Sequence, residues 1–207
     1  MSKNTEIELK LLLSDEDLKK LLQLDFVEAA LREESKTVRQ LSSSYYDTKD
    51  MAFRNHGIAY RVRDKGDGGF EATVKATLKK QGGLAERIEL NIPLTENKAV
   101  LAGFKSLGFA YELTDLAPQG VEKLFSVDVE RTTYLLDYEG AVIELAVDKG
   151  FVIAGAAKDE IDEIELELKD GEAQALLNFA QRAGKEVTLK EEERSKYARG
   201  LALCKLL

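Results

Sequence analysis

The sequence is poor in the residues that mark redox, zinc or disulfide-stabilised proteins. Among 207 residues it has one cysteine, Cys204, and one histidine, His56. A single cysteine excludes an internal disulfide, and the two residues together are too few for a cysteine–histidine metal site. The metal chemistry that remains open is that of a hard cation held by carboxylate oxygens.

Long apolar runs are also missing. No segment approaches the ~20 consecutive apolar residues that a membrane-spanning helix needs, and residues 1–5 lack the apolar stretch of a signal peptide. The net charge of −8 argues against general binding to nucleic acid or to an anionic membrane, because both need a positive surface. We therefore expect a cytoplasmic protein that binds neither, with a single domain over residues 1–207.

Residues 6–11 alternate charged and apolar side chains, which is the period of a β-strand. One strand face is apolar, and the other carries Glu6, Glu8 and Lys10. Two carboxylates at this spacing suit a hard cation, although a solvated strand face is the commoner origin of such a pattern. Residues 163–169 repeat the pattern almost unchanged. Two such faces brought together repel and need a cation between them.

The rest of the chain predicts mostly antiparallel strands joined by glycine-rich turns. Further strands are expected over 40–48, 58–63, 70–78, 84–93, 125–137, 141–151 and 163–169. Helices are expected over 14–24, around Met51 and Phe53, over 95–107, over 171–184 and from Ser195 onward. The stretch 109–120 is expected to be a connection with some strand.

So many strands with one charged and one apolar face permit two arrangements. In a closed barrel with helices outside, the apolar faces pack on the helices and the charged faces line the lumen. In an open sheet the charged faces lie in water, and their ion pairs contribute little. The pattern favours neither arrangement. The charged lumen would contain Glu6, Glu8, Arg61, Arg63, Lys75, Glu89, Arg131, Glu144, Asp148, Glu165 and Glu167. Because unpaired buried charge is costly, such a lumen would be wet and would hold ions.

Several short motifs follow one another in a fixed order along the chain. They are the ExExK motif at 6–10, Tyr45-Tyr46-Asp47-Thr48, the segment 57–63 with Arg61 and Arg63, Thr73-Val74-Lys75, Arg87-Ile88-Glu89, Arg131, the segment 143–150, the segment 163–168 and Ser195-Lys196-Tyr197-Ala198-Arg199-Gly200. This ordered set resembles the CYTH superfamily, the triphosphate tunnel metalloenzymes. It looks most like the bacterial inorganic triphosphatases of that superfamily. The first motif alone would be weak evidence.

The resemblance implies the closed arrangement: an α+β fold with a closed eight-stranded antiparallel β-barrel, or tunnel, and helices packed outside. It also implies a metal-dependent hydrolase that cleaves the terminal phosphate of a small-molecule triphosphate, with inorganic tripolyphosphate as the first choice. The alternatives are a class IV adenylate cyclase that makes cyclic AMP and pyrophosphate from ATP, a thiamine triphosphatase and a non-catalytic polyphosphate binder. A monomer and a homodimer are both compatible with the sequence.

Roles for single residues follow from this resemblance together with residue chemistry, because guanidinium groups bind phosphate oxygens in pairs and lysines add point charges. The implied substrate-binding residues are Arg61, Arg63, Lys75, Arg87, Arg131, Lys196 and Arg199. The candidate catalytic residues are Lys10, Lys75 and Arg63. The implied cofactor is Mg²⁺ or Mn²⁺, with the ligands Glu6, Glu8, Glu89, Asp148, Glu165 and Glu167. The general base, the number of metal ions and the register among Glu163, Glu165 and Glu167 stay open.

Overall fold

Eight long antiparallel strands close into a barrel in this computed structural model, which describes residues 5–206. The strands are β1 (Thr5–Leu12), β2 (Thr37–Asp47), β3 (Ile58–Asp64), β4 (Phe70–Gln81), β5 (Leu84–Leu94), β6 (Glu122–Tyr138), β7 (Ala141–Ala154) and β8 (Ala157–Asp170). Around the barrel they follow the order β1-β5-β4-β3-β2-β6-β7-β8, and β8 pairs with β1 to close the circle. A short strand, β9 (Lys190–Glu191), extends the sheet beside β1. The predicted closed eight-stranded barrel is confirmed.

Six helices and one 3-10 turn accompany the barrel in the described part of the chain. They are α1 (Asp15–Leu22), α2 (Asp25–Ala30), α3 (Ala52–Asn55), α4 (Leu113–Leu116), α5 (Ala173–Ala183), α6 (Lys196–Leu203) and the turn Lys105–Leu107. Ser14 begins α1 as expected, since its hydroxyl accepts a hydrogen bond from the Asp17 amide at 3.0 Å. Within residues 5–206, no helix has the length and apolar character needed to cross a membrane.

Two apolar cores cover the outside of the barrel. The first lies under α1, α2 and α5, where Leu21, Val27 and Phe179 pack on the outward residues of β1, β6, β7 and β8. The second lies under the connection 95–121, where Phe104 and Leu113 pack on the outward residues of β3, β4 and β5. Because successive strand residues point to opposite faces, these outer cores direct the intervening charged residues into the lumen.

The last helix, α6, lies at the inner face of the barrel. Tyr45 on β2 and Phe125 on β6 are directly paired neighbours, and Leu201 of α6 packs with them in a third buried core. Gly200 lies against the Phe125 ring so closely that a Cβ atom would overlap the ring. The prediction that helices pack outside the barrel therefore holds for α1, α2 and α5. Helix α6 instead fills the part of the lumen where the strand residues are apolar.

The predicted helix over residues 95–107 is wrong, apart from its last turn. The Tyr60 hydroxyl accepts a hydrogen bond from the Val100 amide and donates one to the Val100 carbonyl, both at 2.8 Å. These bonds use the backbone groups that a helix would need. Gly103 has a φ of +100°, which also breaks a right-handed helix. Only the 3-10 turn Lys105–Leu107 forms, and it ends at Gly108 as expected.

Two smaller differences concern short helices. The connection 109–120 contains α4 instead of the expected strand, and α2 follows α1 where the sequence predicted one helix ending near Leu24. Leu24 has an extended backbone conformation and precedes α2 as its N-cap residue. The prediction over 14–24 thus describes α1, and α2 is an additional helix that buries Val27 and Ala30 on the same core.

We predict that Gly200→Ala destabilises the protein, because the added methyl group meets the edge of the packed Phe125 ring. The expected loss in the free energy of unfolding is about 1–3 kcal/mol, even though alanine is the better helix former. Urea denaturation followed by circular dichroism measures it. In a Phe125→Leu background, Gly200→Ala should lower the free energy of unfolding by less than it does in the wild type. Equal losses in the two backgrounds would contradict the contact.

Candidate active site

A cavity of about 650 Å³ occupies the charged part of the lumen. Nine basic and six acidic residues contribute to its wall. The basic residues are Lys10, Arg54, Arg61, Arg63, Lys75, Arg87, Arg131, Lys169 and Lys196, and the acidic ones are Glu6, Glu8, Glu71, Glu89, Glu165 and Glu167. Of the residues proposed from the sequence for catalysis, substrate or metal, only Asp148 and Arg199 are absent from this wall, among the residues the structure describes.

Carboxylates from three strands crowd one side of the cavity. Glu8 on β1 is the direct neighbour of Glu167 on β8. The Lys75 ammonium group lies 2.7 Å from a carboxylate oxygen of Glu6 and 2.5 Å from one of Glu89. Arg87 donates a short hydrogen bond to Glu8. Such clustered carboxylate oxygens, held apart from bulk water and bridged by single cations, are the donors that Mg²⁺ and Mn²⁺ prefer.

The pKa of Glu6 shows how crowded this acidic side is. Burial raises the pKa of Glu6 to about 8, and the opposing charge of Lys75 reduces this rise only in part. Repulsion from Glu8, Glu89 and Glu167 adds to it. The same side of the cavity therefore favours an additional cation whenever all of these groups are ionised.

Three other carboxylates, those of Asp148, Glu163 and Glu165, form the tightest acidic group, with ligand atoms within 4.8 Å of one another. The Lys196 ammonium group lies 2.6, 2.6 and 2.9 Å from these three carboxylates in that order. The contacts with Glu163 and Glu165 are hydrogen bonds, and the contact with Asp148 is an ion pair. Lys10 adds bonds of 3.1 Å to Glu163 and 2.8 Å to Glu165. Lysines already neutralise this group, so a metal ion bound here would have to take the place of one of them.

Asp148 belongs to this neutralised group and lies behind the cavity wall. Its carboxylate is fully buried and accepts two hydrogen bonds of 2.6 Å from the Arg131 guanidinium group. Arg131 and Lys196 lower the pKa of Asp148 to about 2, although burial acts in the opposite direction. The structure therefore places Asp148 where it holds two basic residues, and not at the acidic side of the cavity where the sequence reasoning grouped it with the metal ligands.

Arg199 is likewise directed away from the cavity. It lies one turn after Lys196 on α6, and its Nε atom donates a 2.6 Å hydrogen bond to Asp159 on β8. A second nitrogen donates to the backbone carbonyl of Glu160, and a third lies 3.6 Å from Glu163. Because α6 inserts into the barrel, this arginine anchors the helix to β8 instead of lining the wall as the sequence suggested.

The opposite wall, on β3, carries guanidinium groups that have no acidic partner. Within residues 5–206, neither Arg61 nor Arg63 has a carboxylate oxygen within 4.0 Å of its side-chain nitrogens. Arg63 donates one hydrogen bond of 2.9 Å to Ser43, and the buried Nε atom of Arg61 has no partner. Burial, followed by repulsion from Arg61 and Arg131, lowers the pKa of Arg63 to about 9. This wall therefore carries two guanidinium groups without a carboxylate at ion-pair distance.

Several residues of the wall were not proposed from the sequence, among them Tyr45, Arg54, Glu71, Lys169 and Tyr197. Burial opposes ionisation of Tyr45, but the charges of Arg61 and Arg63 lower its pKa overall. Lys169 shares the strand parity of Glu167, which is a signal the sequence offered. Arg54 and Tyr197 lie on helices, and their approach to the cavity depends on how α3 and α6 sit on the barrel, which has no sequence signal.

One protein family accounts for nearly the whole chain. The model of the CYTH domain matches residues 4–201. This chain belongs to the CYTH family. An inorganic triphosphatase of Haemophilus influenzae is 32% identical over 163 residues, which are 79% of this chain and 46% of that relative. The chain thus spans about half the length of this curated relative.

Solved structures share the fold of this CYTH domain. A Hippeastrum protein described as an adenylyl cyclase candidate with a dominant triphosphatase activity superposes with a TM-score of 0.65 at 18% identity, covering 95% of both chains. A Bacillus halodurans protein described as an adenylate cyclase candidate gives 0.59 at 23% identity, covering 96% of this chain and 98% of its own. At these identities the likeness shows the tunnel architecture.

We predict that Asp148→Ala lowers the free energy of unfolding by about 3–5 kcal/mol, because it leaves the buried Arg131 and Lys196 charges without their partner. Chemical denaturation measures the loss. The matched control is Asp137→Ala, which removes an exposed ion pair with Arg32 and should cost about 1 kcal/mol or less. Unchanged stability together with the loss of one bound Mn²⁺ per chain would contradict this role and would make Asp148 a metal ligand.

Proposed function

We propose that this protein is a metal-dependent triphosphatase that hydrolyses the terminal phosphate of inorganic tripolyphosphate. The observation that carries the proposal is the β3 wall, where Arg61 and Arg63 face the cavity without a carboxylate partner. Positive charge removed from water needs a counter-charge. Planar guanidinium groups bind phosphate oxygens better than most other anions, so a chain of phosphates is the ligand that this wall fits.

The acidic side opposite this wall supports catalysis over simple binding. A protein that only bound polyphosphate would gain nothing from Glu6, Glu8 and Glu167, because carboxylates repel the ligand. A divalent cation held by these residues would reverse that effect. The relative from Haemophilus influenzae carries the name inorganic triphosphatase, which agrees in reaction class and in substrate with this reading of the cavity.

In the proposed reaction, the oxygen of a water molecule bonds to the terminal phosphorus atom while the anhydride P–O bond on the opposite side breaks. Pyrophosphate leaves, and the water gives up a proton. Arg63, Arg61 and Lys75 bind the oxygens on which charge accumulates. Arg87, Arg131 and Lys196 complete the basic set around the substrate.

Lys10 contributes to the proposed reaction through its contacts with carboxylates. Its ammonium group is bonded to Glu163 and Glu165 and is almost fully buried. Its role is therefore to fix Glu165 at the cavity wall. These two bonds leave the third N–H donor of the ammonium group available at the cavity wall.

The proposed metal ligands are Glu6, Glu8, Glu89, Glu165 and Glu167, and the proposed ions are Mg²⁺ and Mn²⁺. When bound, such an ion neutralises phosphate oxygens and orients water. Glu89 and Glu6 share Lys75 as their present partner. If these two carboxylates held the ion, Lys75 would be available to bind the substrate. The cytoplasmic location and the choice between monomer and homodimer stay predictions from the sequence.

We predict that the purified protein releases phosphate from tripolyphosphate when Mg²⁺ or Mn²⁺ is present, and that Glu6→Ala and Glu8→Ala each abolish this release while the fold is kept. Colorimetric phosphate and pyrophosphate assays with tripolyphosphate, ATP and thiamine triphosphate measure it, together with an assay for cyclic AMP. Glu33→Ala, on the exposed surface, is the control and should leave the rate unchanged.

Three outcomes of this assay would contradict the proposal. Pyrophosphate together with cyclic AMP from ATP would identify a cyclase. Preferred release from thiamine triphosphate would identify a thiamine triphosphatase. Binding of tripolyphosphate without turnover under either ion would identify a binder. Full activity of Glu6→Ala and Glu8→Ala would remove the metal assignment alone.

A further inference from the structure

A third arginine without an acidic partner lies at the end of the β3 wall. Arg54 on α3 contributes to the cavity wall, and within residues 5–206 no carboxylate oxygen lies within 4.0 Å of its guanidinium group. Gly57 and Ala59, which lie between Arg54 and Arg61 in the sequence, also contribute to the wall. A Cβ atom at Gly57 would meet no atom within 4 Å. Arg54 therefore belongs to the same cavity as Arg61 and Arg63, on the helix that precedes β3.

Arg54 is held in place by its backbone. The fully buried Asp47 carboxylate accepts hydrogen bonds from the amides of Phe53 at 2.8 Å and Arg54 at 2.9 Å. The Phe53 side chain is itself fully buried in the outer core. The short helix is thus fixed at both its backbone and its apolar face. The guanidinium group of Arg54 is presented to the cavity from a rigid base, although no carboxylate of residues 5–206 lies at ion-pair distance from it.

The α6 side of the same cavity end offers further hydrogen-bond donors. Ser195 and Tyr197 contribute to the wall there, and the first amides of a helix have no acceptor within the helix. The buried Tyr197 hydroxyl has no hydrogen-bond partner. Burial raises the pKa of Tyr197, and the Asp47 charge raises it further against the opposing Arg54. The phenol is therefore neutral and keeps its proton for donation.

We propose that Arg54, assisted by the Tyr197 hydroxyl and the start of α6, binds the end phosphate that is not cleaved, and so selects inorganic chains over nucleotides. This inference rests on the proposed function. Arg63 and Arg61 hold the phosphates near the reacting end, and Arg54 lies beyond them in the order of the wall. In tripolyphosphate the group that reaches this place is a free terminal phosphate with two ionisable oxygens.

The selection follows from charge and shape. In ATP bound in the same direction, the corresponding phosphate is esterified, so it has one ionisable oxygen and carries a nucleoside. A guanidinium group binds a free phosphate through two parallel N–H···O bonds, and an ester oxygen removes one of the charged acceptors. Arg54 therefore gains more from the inorganic chain than from the nucleotide, which makes it a specificity-determining residue.

The test compares tripolyphosphate and ATP on the wild type, Arg54→Met and Arg54→Lys. We expect Arg54→Met to lower kcat/KM for tripolyphosphate about tenfold or more, mainly through KM, since a charged hydrogen-bonded contact is lost. The kcat/KM for ATP should change by less than about threefold, because ATP gains less binding energy from this contact. If ATP is not hydrolysed, the same limit applies to its inhibition constant. Arg54→Lys keeps the charge and should recover part of the loss. Arg32→Met, on the outer surface beside Asp137, is the matched control.

Calorimetric titration of tripolyphosphate without a divalent ion separates this inference from the proposed function. If the wild type binds tripolyphosphate but does not hydrolyse it, the proposed hydrolysis fails, while weaker binding by Arg54→Met still supports the contact. Equal losses for tripolyphosphate and ATP would overturn the selectivity. Unchanged binding and kinetics for a folded Arg54→Met variant would overturn the site itself.

Discussion

The cost of keeping positive charge inside a closed barrel governs this structure. Arg61 and Arg63 face the lumen from β3, and neither has a carboxylate partner among the described residues. Uncompensated charges of this kind destabilise a folded chain. They persist where a ligand supplies the missing counter-charge. The rest of the lumen shows the contrast, because Arg131, Lys75 and Arg87 each have carboxylates at ion-pair distance.

The alternation of side chains along each strand separates the charged residues of the barrel from its apolar residues. Outward residues pack beneath α1, α2, α5 and the connection 95–121, so the intervening residues have only the lumen to occupy. The lumen is itself divided, since α6 fills the part around Phe125 and leaves the charged part open. Lys196 and Arg199, at one end of α6, tie the helix to the carboxylates of β7 and β8.

Strand parity explains how much of the cavity the sequence could predict. Glu6, Glu8, Arg61 and Arg63 alternate with residues such as Ile7 and Val62, and a sequence pattern is enough to place them on one face. The family motifs then selected the closed barrel over the open sheet. Neither strand parity nor the motifs show which charged residues contact one another across strands. Lys10, for example, donates a hydrogen bond to Glu163, which lies 153 residues away in the sequence.

Other errors came from contacts that leave no local pattern. The helix expected over residues 95–107 is prevented by Tyr60, whose hydroxyl bonds the Val100 backbone from 40 residues away. The position of α6 could not be predicted, because an amphipathic helix packs equally well on an outer or an inner apolar face. Strand parity placed Asp148 with the proposed metal ligands, and only the structure shows that Lys196 and Arg131 neutralise it.

The most direct test of this account is the free energy of unfolding, measured by urea denaturation with and without tripolyphosphate in the absence of divalent ions. The account predicts that tripolyphosphate at a hundredfold excess over its Kd stabilises the wild type by about 2.7 kcal/mol. It also predicts that Arg61→Met combined with Arg63→Met raises the stability of the free protein and removes most of that ligand effect. A wild type that tripolyphosphate does not stabilise, and a double variant less stable than the wild type, would contradict it.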